Sequence, residues 1–167
     1  METQRAAFSV TSSVIREGQT IPQSALFDKL GCGGLNQSPD LSWSGAPQGT
    51  KSFAITLWDP DAPTGVGFVH WVLFNVPGTL GSLGPGAGSH ADAGVGALHG
   101  TSDFGFDGYG GPAPPPGDPP HHYHFVVYAL DVEKLEGLDR TTSYAKFKFV
   151  SRNNVLATAE IVGLFGR

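Results

Sequence analysis

The chain has 167 residues, including 24 glycines and 13 prolines, close to twice the average share of about 12% for the two types together. Its 10 basic and 15 acidic residues leave a net charge of −5 with no basic run, which excludes the electrostatic footprint of a nucleic-acid binder. The glycines keep no period of three, which excludes collagen, and no apolar stretch approaches the ~18–20 residues of a membrane span. A chain of this size is expected to form one domain over residues 1–167. Cys32 is the only cysteine, so no internal disulfide can form. The opening Met1-Glu2-Thr3-Gln4-Arg5 lacks the basic-then-apolar layout of a signal peptide. Together these lead to the expectation of a reducing, cytoplasmic setting.

In chain order, Ser52–Trp58 is rich in β-branched and aromatic residues and stops at Asp59-Pro60, the pattern of a strand. Phe68–Phe74 is apolar on both alternating faces, as in a strand covered on each side. The Gly/Pro surplus is then concentrated, with 13 glycines and 7 prolines among the 43 residues from Gly78 to Pro120. Such long connections are usually functional or disordered. Phe104, Phe106 and Tyr109 want burial and argue for order in its second half, whereas the stretch from Gly78 to Gly100 is expected to be mobile. His122–Leu130 is a third strand and Val155–Phe165 a last one. Thr142–Phe149 is ambiguous: a hydroxyl N-cap suggests a short helix, while the alternation of Phe147 and Phe149 suggests a strand. The fold class is all-β, antiparallel, as a sandwich or barrel.

Three places carry chemistry. Asp59-Pro60-Asp61-Ala62-Pro63 sets two carboxylates two residues apart in a stiff turn, which serves either a ligand or the turn's own backbone. His70 sits within an apolar strand, where an imidazole is either a packed, hydrogen-bonded core residue or, with an Asp facing it, a site residue. Gly110-Gly111-Pro112 offers backbone N–H groups that can approach an anion. It leads to His121-His122-Tyr123-His124, where strand alternation sets His121 and Tyr123 on one face and His122 and His124 on the other. The outer pair has metal-ligand spacing but lacks a third ligand, so no metal is assigned. No cofactor signature is present: there is no Walker loop, no G-x-S-x-G elbow and no C-x-x-C pair.

These segments together resemble the phosphatidylethanolamine-binding protein family, which includes the Raf kinase inhibitor proteins, and in particular its bacterial and archaeal branch. The residues that carry the likeness are Asn36–Trp43, Gly49–Phe53, Asp59–Gly65, Phe68–Val72, Asp103-Phe104-Gly105, Gly108–Pro112, Pro114–Gly117 and Tyr128–Asp131. The resemblance implies a sandwich of two antiparallel sheets, with one or two short helices near the C-terminus. It also implies a small anion-accepting pocket at one end of the large sheet. Matched position by position, Asp59 and Asp61 stand as the acidic pair, and Pro63 follows them in the same motif. His70 matches the first histidine, His121 and Tyr123 match the His-Arg-Tyr motif, and Gly110, Gly111 and Pro112 form the rim. The chain departs from the pattern at His122, where Arg is usual, and at Ala113, where bacterial members often carry Cys.

Three functions follow. The leading one is a non-catalytic binding protein for a small anionic or zwitterionic ligand, in which an imidazolium, Tyr123 and glycine N–H groups hold phosphate or carboxylate. The second is a small-molecule enzyme using Asp59, His70 and His121 for general acid–base chemistry. The third is an inhibitor-type interaction module, with a protein partner contacting the 78–120 segment. A homodimer is a further expectation carried by the resemblance alone.

Overall fold

A computed structural model describes residues 6–167. Among the described residues, eight strands form two antiparallel sheets: β1 (Ser9–Thr11), β2 (Leu41–Ser44), β3 (Ser52–Asp59), β4 (Phe68–Pro77), β5 (Ser82–Leu83), β6 (Leu98–His99), β7 (His121–Leu130) and β8 (Val155–Phe165). The large sheet has the order β6-β4-β3-β7-β8 and the small one β1-β2-β5. The four strands read from the sequence are the four long strands of the large sheet.

Strand β3 is buried along almost its whole length because the large sheet is covered on both faces. Phe53, Ile55 and Leu57 point to one side, with Phe125 and Val127 of β7, and pack against Val10, Leu41, Trp43 and Leu83 of the small sheet. Ala54 points to the other side, where Phe74, Tyr128 and Leu130 meet Phe147 of the α-helix α1 (Tyr144–Ser151). The helix reading of the ambiguous segment holds because Ser143 Oγ accepts the Lys146 N–H (3.1 Å), closing an N-cap ahead of it. Among the described residues, no helix is long and apolar enough to cross a membrane.

Strand β4 is irregular at a position that matters. Leu57 pairs with Trp71 and Trp58 with Val69, so His70 is an extra residue opposite the gap. In such a β-bulge two consecutive side chains turn to the same side of the sheet. Trp71 enters the core between the sheets, and His70 packs near Tyr123 on that same side, with ring centroids 5.4 Å apart.

The stretch expected to be mobile is tied down. Ala87, Ala93 and Ala97 are buried, β5 joins the small sheet and β6 pairs with β4. The Gly88 N–H donates to Ser38 Oγ (2.8 Å) and the Tyr109 N–H to the Gly88 carbonyl (2.9 Å). His99 is buried beneath this stretch. It accepts the Trp71 indole N–H at Nδ1 (3.1 Å) and donates from Nε2 to the His90 carbonyl (2.8 Å). Glycine is required at position 88 because a Cβ would run into the Tyr109 side chain and Ser38.

Candidate functional site

At the end of the large sheet where β3 finishes and β7 begins lies a cavity of about 420 Å³. That volume suits a small molecule. A slightly larger groove of about 460 Å³ lies near the other end of β3 and β4, lined by Thr50, Lys51, Asn75 and Lys134 among others, but no buried titratable side chain faces it. The first cavity has Asp59, His70 and His121 in its wall, each at most 3% exposed.

Asp59 closes β3, and the chain turns at Pro60. Its Oδ1 accepts the Asp61 N–H (2.9 Å), and its Oδ2 accepts a hydrogen bond from His121 Nδ1 (2.7 Å). The other nitrogen of His121, Nε2, donates to Asp118 Oδ2 (2.9 Å). Carboxylates only accept, so this arrangement favours a proton on each ring nitrogen, the imidazolium form. Burial works against that charge, but the hydrogen bonds to Asp59 and Asp118 outweigh it and hold the pKa above the usual histidine value.

His70 is the opposite case. Its Nδ1 faces the carbonyls of Gly110 (2.8 Å) and Gly111 (3.0 Å), which can only accept, so the proton sits on Nδ1. Burial pushes its pKa down to about 4, with the carbonyls and the negative charges of Asp59 and Asp103 opposing it in part. The ring is therefore neutral, and its Nε2 is a bare acceptor on the cavity side. Phe68 and Phe104 meet this ring edge-on at 5.1 and 5.2 Å, and Phe27 stacks on Phe104 at 4.5 Å, giving the cavity an apolar wall.

The other residues expected at the site divide. Pro63 lines the cavity at its exposed edge. Tyr123 lies one layer beneath, fully buried under His70 and His121, and its hydroxyl has no hydrogen-bond partner. Burial, then the charge of Asp59, raises its pKa well above the ordinary value, so it stays a phenol. Asp61 is not brought into the cavity. It turns to the outer face and accepts from the His122 N–H and the His122 ring (both 2.7 Å), which hold its carboxyl below the usual range despite some burial.

Gly110 and Gly111 act differently from the expectation as well. Their N–H groups are used inside the protein, Gly110 donating to the His70 carbonyl (3.0 Å) and Gly111 to Asn36 Oδ1 (2.8 Å). Their carbonyls, not their N–H groups, serve the site, by setting the tautomer of His70. Glycine is needed because a Cβ at 110 would strike the Phe104 ring (2.5 Å) and one at 111 would strike the backbone of Ala25. Pro112 is buried behind this wall and accepts the Phe27 N–H at its carbonyl (3.2 Å). On the outer face His122 pairs with Asp61 and His124 with Glu160 (3.2 Å). Among the described residues, no group of three or more His, Cys, Asp or Glu side chains gathers as a metal would need.

Two acidic residues at the site carry no role in the sequence reading. Asp103 lines the cavity and anchors β4 by accepting the Val69 N–H (2.7 Å). Asp118 lies three residues before His121 in a Gly-Asp-Pro-Pro turn, and only the fold brings its carboxylate back onto that ring.

A comparison with protein families decides the identity: the description of the phosphatidylethanolamine-binding protein family matches residues 11–166. This chain is a member of the phosphatidylethanolamine-binding protein family. Among members of the family it is similar to YbcL of Escherichia coli strain K12, 47% identical over 164 residues that cover 97% of this chain and 89% of that protein. It is 43% identical to YbhB of the same organism over 92% of this chain and 97% of that one. The crystal structure of E. coli YbcL, described as a new member of the mammalian family, superposes with a TM-score of 0.91 over 97% of this chain and 99% of that one. The two-sheet architecture is thus the architecture of the family.

Proposed function

We propose that this member of the phosphatidylethanolamine-binding protein family binds a small ligand with an oxyanion head, a phosphate, phospho-headgroup or carboxylate, in the cavity of Asp59, His70 and His121. The observation that carries the reading is a pair of buried imidazoles in the wall of one small cavity, one set between two carboxylates and the other against two backbone carbonyls. His121, set between Asp59 and Asp118, brings the positive charge that attracts anionic oxygens to the cavity wall. Neutral His70 accepts a proton-bearing oxygen at Nε2, so the favoured form of a phosphate is the one that keeps an O–H. A phosphate ester loses that second proton with a pKa of about 6, and binding should therefore weaken as pH rises above neutrality. The exposed carboxylate of Asp103 at the mouth suits the ammonium of a zwitterionic head.

The test is a titration with inorganic phosphate and with phosphoethanolamine, followed through the ring nitrogens by NMR. His70 and His121 should shift first, at millimolar ligand, and more weakly at about pH 8 than at about pH 6. Unmoved histidines at tens of millimolar of either ligand would overturn the reading.

A further inference from the structure

We infer that Asp118, just outside the cavity lining, is a tethered stand-in for the ligand's oxyanion: its carboxylate engages His121 Nε2, the donor of that ring not held by Asp59, so an anionic head gains this donor by displacing it. The inference deepens the oxyanion reading of the cavity and rests on it. His121 has two donors, and they are committed in unlike ways. Nδ1 is held by Asp59, which is 2% exposed and is itself fixed by the Asp61 N–H. Nε2 is held by Asp118, whose side chain is 35% exposed and whose Oδ2 lies at 2.9 Å. A half-exposed carboxylate can rotate into water at little desolvation cost, whereas a buried one cannot.

Charge balance points the same way. One imidazolium already sits between two carboxylates, with Asp103 a third at the cavity wall. An oxyanion added to that set meets net negative charge and finds no free N–H on His121. One that replaces Asp118 keeps the hydrogen bond and leaves the number of negative charges around the ring unchanged. The exchange is what makes an anion admissible in a cavity flanked by acids. Because Asp118 is three residues from His121 in sequence, it competes at the high effective concentration of a short tether, and it sets the ligand level at which the site fills.

The experiment compares the wild type with Asp118→Ala and Asp118→Asn by phosphate titration at about pH 6, where Asp59 still favours the His121 imidazolium. Both variants should bind inorganic phosphate more tightly, the alanine variant by about tenfold, the scale expected for losing one charge-assisted competitor. In the wild type the carboxyl carbon of Asp118 should move in NMR spectra in step with the ring of His121 as phosphate is added. Equal or weaker phosphate affinity in both variants would overturn the inference, and so would an Asp118 carboxyl signal that stays put while His121 saturates. Phosphate binding in the wild type without a gain in the variants sinks this inference alone. Failure of phosphate to bind any of the three proteins sinks the oxyanion reading and the inference together.

Discussion

At the scale of single residues, His70 and His121 pull the pH dependence of stability in opposite directions. Burial keeps folded His70 neutral down to about pH 4, while an unfolded histidine takes up its proton near 6.5. Between those values the unfolded chain binds more protons, so stability rises with pH and is lost as pH falls from 6.5 towards 4, by on the order of 3 kcal/mol. His121 has a raised pKa, so its contribution is full below the ordinary histidine pKa and is lost as pH rises through the elevated one. His70→Asn keeps a donor for the Gly110 and Gly111 carbonyls but cannot titrate. Urea midpoints measured between pH 7 and pH 4 should fall less in that variant than in the wild type, and parallel profiles would show that another group sets the acid limb. Asp59, His70, His121 and Tyr123 were all legible as residues with chemistry in them. Their charge states were not, because these depend on which atoms face each nitrogen. Asp61 reads as the twin of Asp59 in sequence, yet the turn after Pro60 sends it to the opposite face. Asp118 reads as an ordinary turn residue and becomes a partner of His121 only through the loop's return.

At the scale of elements, the Gly/Pro-rich stretch behaves as a packed layer rather than a tether. Its small residues are what let it lie so close to the core: Gly88 fits between Ser38 and Tyr109, and Ala87, Ala93 and Ala97 are buried beside it. Gly88→Ala should therefore destabilise the protein by about 1–3 kcal/mol, the usual cost of overpacking. Urea denaturation checks this, and a change within error would mean the loop moves aside freely. The long strands were legible because β-branched and aromatic runs end at Asp-Pro, Val-Pro and Asp turns. Strands β1, β2, β5 and β6 have only two to four residues, too few for alternation to register, and pairing with distant segments defines them. Helix α1 was ambiguous because Phe147 and Phe149 also alternate. The packing of Phe147 onto Phe74 and Tyr128, with Phe149 left 65% exposed, decides for the helix.

At the scale of the whole molecule, the two apolar clusters lie on opposite faces of the same strands, so neither can melt without stripping β3, β4 and β7 of the packing on one face. Phe147→Ala, which empties a fully buried site on the helix side, should cost about 3–5 kcal/mol and still leave a single unfolding transition. Tryptophan fluorescence and circular dichroism should report the same midpoint, whereas separated midpoints would make the helix side a cooperative unit of its own. The fold carries one further consequence, and it is genetic. His70 reaches the cavity because β4 holds one residue more than β3 at that point of the ladder. The pocket depends on the parity of that count as well as on the identity of its residues. Gain of a single codon between Val69 and Trp71 would change the register of the strand and undo the site without altering Asp59, His70, His121 or Asp118.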